Sequence, residues 1–200
     1  MPRPVNPRLR DDLLDAAIIL LDRQGPSFSI RDLSAEINYS TTAVYRCFAS
    51  RGDLLKAVQL RLFEDFATRL MAHYRPDGDV ADQILSSGRS FIQFGVAHPT
   101  RYTFMFQDAG PDALLADEER ALATAPLVAL EAMVTQAMAT GEIDDGDAKS
   151  LALMFFASVH GLVSLHLAQR LLGFTQASPT ETYEQWAQMW LQQLRPRTES

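Results

Sequence analysis

Residues 29 to 55, SIRDLSAEINYSTTAVYRCFASRGDLL, constrain the fold of this chain more than any other stretch. Ser29-x-x-Asp32 is a capping box, in which hydroxyl and carboxylate each satisfy an amide that the helix start leaves open. Ile30, Leu33 and Ile37 then recur at helical spacing and face a core, with Arg31, Ser34, Ala35 and Glu36 between them. Asn38 tolerates left-handed backbone and stops that helix. Ser40 caps a second helix, whose apolar anchors are the i, i+4 pair Val44 and Phe48. Ser50-x-x-Asp53 is a second capping box and opens a long helix expected to run to about His73. Two short helices, a tight turn and a third helix make a helix-turn-helix.

The second of these helices is short and thinly anchored, which makes it poor core material. Its outer side carries Thr41, Thr42, Tyr45 and Arg46. Hydroxyls and a phenol can bond phosphates, and a guanidinium can reach a guanine edge or a phosphate, so this face suits the groove of a duplex. The amides at the start of the third helix, with Arg51 and Lys56 beside them, suit an anion such as phosphate. The capping boxes taken alone favour ordinary helical packing. The outward Thr-Thr-Tyr-Arg face favours nucleic acid.

Leu13-Leu14-x-Ala16-Ala17-x-x-Leu20-Leu21, Gly25, Ser29-Ile30-Arg31-Asp32-Leu33, Tyr39-Ser40, Tyr45-x-x-Phe48 and Ser50-Arg51-x-Asp53-Leu54-Leu55 follow one another without a gap. Over about residues 8 to 60 the chain thereby resembles the N-terminal domain of TetR-type transcriptional regulators. The resemblance implies that Thr41, Thr42, Tyr45 and Arg46 lie on a recognition helix and that Ser29 and Arg51 touch phosphates. The chain departs from the family pattern at Asn38, where Gly is usual, and at Thr42, where Gly or Pro is common. It departs again at Cys47, in place of His or Tyr, and at Arg51, in place of Lys; the Cys47 change removes one phosphate contact. The expected DNA-binding set is Ser29, Arg31, Ser40, Thr41, Thr42, Tyr45, Arg46, Arg51 and Lys56. The expected division is residues 1–55 for DNA binding and 56–200 for effector binding and dimerisation.

A net charge of −7 argues against nucleic acid until it is divided along the chain. Residues 1 to 60 hold eight basic and seven acidic residues, a balance of +1, and residues 61 to 200 hold ten and eighteen, a balance of −8. The acidic part is repelled by phosphate and helps orient the molecule on a duplex. Arg3, Arg8 and Arg10, on an arm broken by Pro2, Pro4 and Pro7, either add phosphate contacts or form a solubilising tail. No membrane span and no signal peptide are expected. The single cysteine, Cys47, leaves no disulfide framework and fits a reducing cytoplasm.

The rest reads as helices throughout, giving an all-α fold: Val80 to about His98, Thr100 to about Gln107, Glu118 to Thr140, Asp147 to about Leu172 and Pro179 to about Leu194. His98-Pro99-x-Arg101-Tyr102 on one helix and Val159-His160-Gly161 on another resemble the ligand-sensing C-terminal domain of those TetR-type regulators that carry a Trp-His-Gly motif, with Val159 in place of the Trp. The resemblance implies an effector pocket among the central helices. Phe91, Phe94, Phe104, Met105, Phe155 and His160 are the expected lining, because Met and Phe re-pack readily around apolar guests. The competing reading of each is core. With −8 on this part, a neutral or cationic effector is expected, unless Arg89 or Arg101 pairs with an anion.

Ala152, Ala157, Ser158, Gly161, Ser164 and Ala168 put small residues along one side of the long helix. Tyr183, Trp186, Trp190 and Leu194 form an aromatic stripe on the last one. Ala157, Gly161, Ser164, Ala168, Trp186 and Trp190 are the expected homodimer contacts, since a helix-turn-helix reader works in pairs. His73, His98, His160 and His166 show no zinc spacing, so neither metal nor cofactor is expected. The chain thus reads as a cytoplasmic, effector-responsive repressor of a double-stranded DNA operator. The alternatives are an enzyme built on the helical pocket, which lacks any recognisable nucleophile or phosphate-loop motif, and a DNA-binding module that senses no ligand.

Overall fold

Ser29, Ser40 and Ser50, which the sequence places at helix starts, each cap a helix in the computed structural model. The structure describes residues 8–72, 75, 78–107 and 117–194, with backbone only for 117–119. Ser29 accepts the Asp32 amide while Asp32 accepts the Ser29 amide, completing the capping box of α2 (Ile30–Glu36). Ser40 accepts the Ala43 amide at the start of α3 (Thr41–Cys47). Ser50 accepts the Asp53 amide at 3.0 Å and starts α4 (Arg51–Met71). Asp79, Asp147 and Ser178 do the same for α5 (Val80–Ala97), α8 (Ala148–Leu167) and α9 (Pro179–Leu194). The remaining helices are α1 (Leu9–Gln24), α6 (Pro99–Phe106) and α7 (Asp117–Ala139). The fold is all-α, with no strand among the described residues.

Asn38 adopts a φ of 53°, the left-handed backbone that ends α2. Ser34 is buried and its hydroxyl donates to the Ile30 carbonyl at 2.8 Å. One expectation needs correction. The long apolar helix stops at Leu167 rather than near Leu172, because Gln169 takes a φ of 57°. A non-glycine residue in that region cannot continue a right-handed helix.

The chain forms two compact units. The first runs to Asp65 and takes in the segment from Thr100. Its core is built from Leu13, Leu21, Phe28, Leu33, Val44, Leu54 and Val58, all essentially inaccessible to solvent. Arg51 pins the start of α4 by donating from Nε to the Phe28 carbonyl at 2.9 Å and from its terminal nitrogen to the Pro26 carbonyl. The Arg10 guanidinium lies 5.2 Å over the Phe48 ring. α6 belongs to this unit. Its Arg101 holds Asp22 of α1 through two bonds of 2.9 and 2.6 Å. Gln59 of α4 donates to the Met105 carbonyl at 3.2 Å.

The second unit comprises Phe66–Pro99 and the chain from Arg120. α5 is its central helix, packed against α8 and α9. A Cβ on Gly95 would fall 2.5 Å from Cγ1 of Val163, so glycine is what lets α5 and α8 approach there. Glu142, in the α7–α8 turn, accepts the Val80 and Ala81 amides at 2.8 and 3.0 Å and adds a second cap to α5. Around these bonds Val80, Ile84, Met133, Val134, Ala137, Ile143, Ala152 and Phe155 form one buried cluster.

The sequence reading expects no membrane span, yet residues 120–139 and α8 are long and apolar enough for one, with mean hydropathies of 1.4 and 1.6. In α8 only 28% of that window is buried within the chain. Ser158, His160, Ser164 and His166 interrupt the run, and Leu153, Met154 and Leu165 stand exposed.

Candidate nucleic-acid interface and effector cavity

α3 is held by very little. Val44 is its one buried residue, and Phe48 follows just past its end. Residues four apart share a helix face, so Thr41 with Tyr45 and Thr42 with Arg46 present one outer surface. Thr42, Tyr45 and Arg46 are exposed, Tyr45 by 54%, and Thr41 is half-buried. Ser29, Arg31, Ser40, Arg51 and Lys56 are exposed in the same unit. Ser29 and Ser40 already accept amides as helix caps, and Arg51 spends part of its donor fork on the Phe28 and Pro26 carbonyls. The two hydrogen bonds that Ser29 donates, one from its amide and one from its hydroxyl, hold the Asp32 carboxyl below the usual carboxylate range. Arg3, with Pro2, Pro4 and Pro7, lies outside the described residues, as does His73.

The second unit contains a hollow of about 30 Å³ lined by Leu70, Ile84, Phe91, Leu130, Phe155, Phe156 and Val159, with Ser87, Gly88, Pro126 and Tyr183 completing the wall. No charged side chain lines it. Of the expected ligand-binding residues, Phe91 and Phe155 reach the wall. Phe94 and His160 pack behind it: Phe94 lies 4.9 Å from Phe66, and His160 sits 4.6 Å from Phe91 and 4.4 Å from Phe156, ring centre to ring centre. Phe104 and Met105 are buried in the first unit, on the helix that Gln59 holds. Arg89 and Arg101, the two cations considered for an anionic guest, are paired with Glu184 at 2.9 Å and with Asp22 at 2.6 Å.

Sequence reasoning missed Gly88 and Tyr183. It assigned Tyr183 to the stripe of Trp186 and Trp190, whereas the structure turns Tyr183 inward and buries it to 3% exposure. The available signal was Gly88 itself, since a glycine inside a helix usually marks a close approach. Gly161, Trp186 and Trp190 do come together, lining an open groove with Ser158, Leu162, Leu165 and Met189. Ala157, Ser164 and Ala168 lie on the same helix or just past its end but do not line that groove.

Burial pushes the His160 imidazole down to about 4. Between about pH 6.5 and 4 the unfolded chain takes up a proton at this position that the folded chain refuses, so stability rises with pH across that window. Acidification from pH 6.5 to 4 is therefore expected to cost up to about 3 kcal/mol through this group. His160→Phe should flatten that part of the profile. The measurement is the difference between wild-type and variant urea midpoints at several pH values; parallel profiles would exclude a buried neutral imidazole.

Comparison with known proteins gives two family matches. Residues 13–58 match the N-terminal family described as bacterial regulatory proteins, tetR family, and residues 84–189 match the tetracyclin repressor-like C-terminal domain. A helix-turn-helix-type transcriptional regulator of Mycobacterium tuberculosis CDC 1551 is 29% identical over 139 residues, 68% of this chain and 59% of that relative. The chain thus spans about three-fifths of that relative's length. A second regulator of this type from Mycobacterium tuberculosis H37Rv is 28% identical over 167 residues, 79% of this chain and 70% of the relative. Among solved structures, a protein from Rhodococcus sp. RHA1 superposes with a TM-score of 0.84 at 24% identity, covering 98% of this chain and all of that one. The Bacillus subtilis regulator FadR, solved with stearoyl-CoA, gives 0.71 at 13% identity over 90% of this chain and 97% of its own. At these identities the structural likeness speaks for the fold alone.

Proposed function

We propose that this chain, which belongs to the tetR family of bacterial regulatory proteins, is a repressor released from its operator by a small apolar effector. Membership makes it a DNA-binding transcriptional regulator with a helix-turn-helix head, and not an enzyme. In the proposed complex Thr41, Thr42, Tyr45 and Arg46 face base edges and nearby phosphates. Ser29, Arg31, Ser40, Arg51 and Lys56 flank them on the backbone. Phosphate contacts fix the position of the head, and base-edge contacts carry the sequence preference. Two copies paired through α8 and α9 present two heads to two half-sites in the cytoplasm.

The observation that carries the effector half of the proposal is the hollow lined by Phe91 and Phe155, set between helices and without a charged wall residue. Its lining narrows the expectation from a neutral or cationic guest to a neutral one, since an unpaired charge buried there would be costly. A guest that fits one arrangement of the helices better than another shifts the population between them, and operator affinity follows. The test is selection of bound duplexes from a random pool, followed by release measurements with a panel of neutral, anionic and cationic small molecules. Release by neutral apolar compounds is the expected result. Compounds that raise the melting temperature yet leave DNA binding untouched would identify a ligand-insensitive module instead.

A further inference from the structure

We propose that Tyr183, seated on Gly88, is the stop that sets how long a guest the cavity admits, and that the guest is a neutral, unbranched alkyl compound. The inference rests on the effector reading above and deepens it.

The phenol of Tyr183 crosses from α9 to α5 and donates to the Leu85 carbonyl at 3.1 Å. A Cβ on Gly88 would lie 2.0 Å from its hydroxyl oxygen and 2.4 Å from Cζ. Separations that short do not exist between real non-bonded atoms, so the ring occupies this seat only because residue 88 is glycine. Burial raises the phenol above its ordinary pKa, and it stays a neutral donor. Tyr183 is therefore a fixed, uncharged wall with its one polar atom already bonded.

The shape of the free space gives the class of guest. The hollow of about 30 Å³ beside Tyr183 has room for a single water or the end of one chain. A second hollow of about 190 Å³ adjoins it, lined by Ala67, Met71, Ala125, Ala129 and Met133. Leu70, Ser87, Pro126 and Leu130 line both, so the two hollows are neighbours along shared side chains. Met71, on the wall of the larger hollow, is 40% exposed. A narrow hollow beside a wider apolar one suits a linear chain better than a ring system. Tyr183 and Gly88 stand in the part of the wall that the larger hollow does not share.

The test uses the whole chain and the straight-chain 1-alkanols from butanol to dodecanol, with binding read by calorimetry. Wild-type affinity should rise about fourfold per added methylene and then break off at one chain length. Tyr183→Leu, which keeps an apolar residue but shortens it, should move the break to longer chains. Tyr183→Phe should leave it in place. Gly88→Ala, which unseats the ring without removing it, should also change it, so the idea stays testable if one variant fails to fold. An unchanged break in both Tyr183→Leu and Gly88→Ala overturns the stop. Octanoate or octylammonium binding as tightly as octanol overturns the neutral class. Alkanols of every length failing to bind the wild type would overturn the effector cavity itself, a separate outcome from failure of the stop.

Discussion

Alanine at Tyr45 or Arg46 is expected to weaken operator binding by about 1–3 kcal/mol each, roughly 5- to 150-fold. Both side chains are exposed on α3 and neither contributes to the core around Val44, so folding stability should stay within about 0.5 kcal/mol of wild type. That separation makes the measurement clean, because weaker binding cannot be ascribed to unfolding. Fluorescence anisotropy on a selected operator, at several salt concentrations, distinguishes the roles. If Arg46 pairs with a phosphate, its removal lowers the salt slope by about one unit and weakens all sequences alike. If it reads a base edge, its removal relaxes the preference at one position and leaves the slope nearly unchanged. Full affinity in both variants, with circular dichroism unaltered, would remove α3 from the interface.

The second large effect is expected at Gly161. Nothing lies within 4 Å of where its Cβ would stand, so the isolated chain can accept a larger side chain at this position. A partner helix brought close to Gly161 cannot. Gly161→Leu is therefore expected to leave the monomer folded while raising the dimer dissociation constant by at least about 100-fold, since close helix pairing tolerates only small residues where the backbones meet. The exposed apolar side chains Leu165 and Met189, at 43% and 58%, border the same groove, and their burial is what a second copy would gain. Trp190→Asp should also dissociate the pair but is a poorer probe, because the Trp190 ring packs 5.0 Å from Phe155 and its loss disturbs the fold. Sedimentation at micromolar concentration decides the question: a wild type that is already monomeric there, or a Gly161→Leu variant that dimerises as before, ends the proposal. Operator affinity should fall in parallel, since each head alone holds only one half-site.

Local chemistry was the legible part of this molecule. Caps are set by residues within one turn of each other, so Ser29, Ser40 and Ser50 could be placed before any tertiary packing was known. Asn38 announced its left-handed turn for the same reason. What stayed hidden depends on partners far along the chain. Phe104 and Met105 look like pocket material beside Phe91 and Phe94 in the sequence, yet α6 turns back to Gln59 and Asp22, residues 46 and 79 positions away. Arg89 and Arg101 were candidate anion binders until Glu184 and Asp22 were found across from them. Tyr183 fitted the helical spacing of its neighbours Trp186 and Trp190, and only the missing side chain of Gly88, on a different helix, draws it to the other side. Gln169 carries no intrinsic signal for left-handed backbone, so the early end of α8 was not readable.

The thin attachment of α3 bears on how such a chain can change over generations. Destabilisation is the commonest reason that a substitution is rejected, and it arises mainly where side chains are buried. The outward positions of α3, exposed at 42, 45 and 46 and half-buried at 41, largely escape that filter, because Val44 anchors the helix and they do not. A duplicated gene could therefore wander through many combinations at 41, 42, 45 and 46 without its product unfolding along the way. Selection on those residues would then weigh target preference almost alone, and a new operator could be acquired in single steps, each leaving a folded and soluble protein.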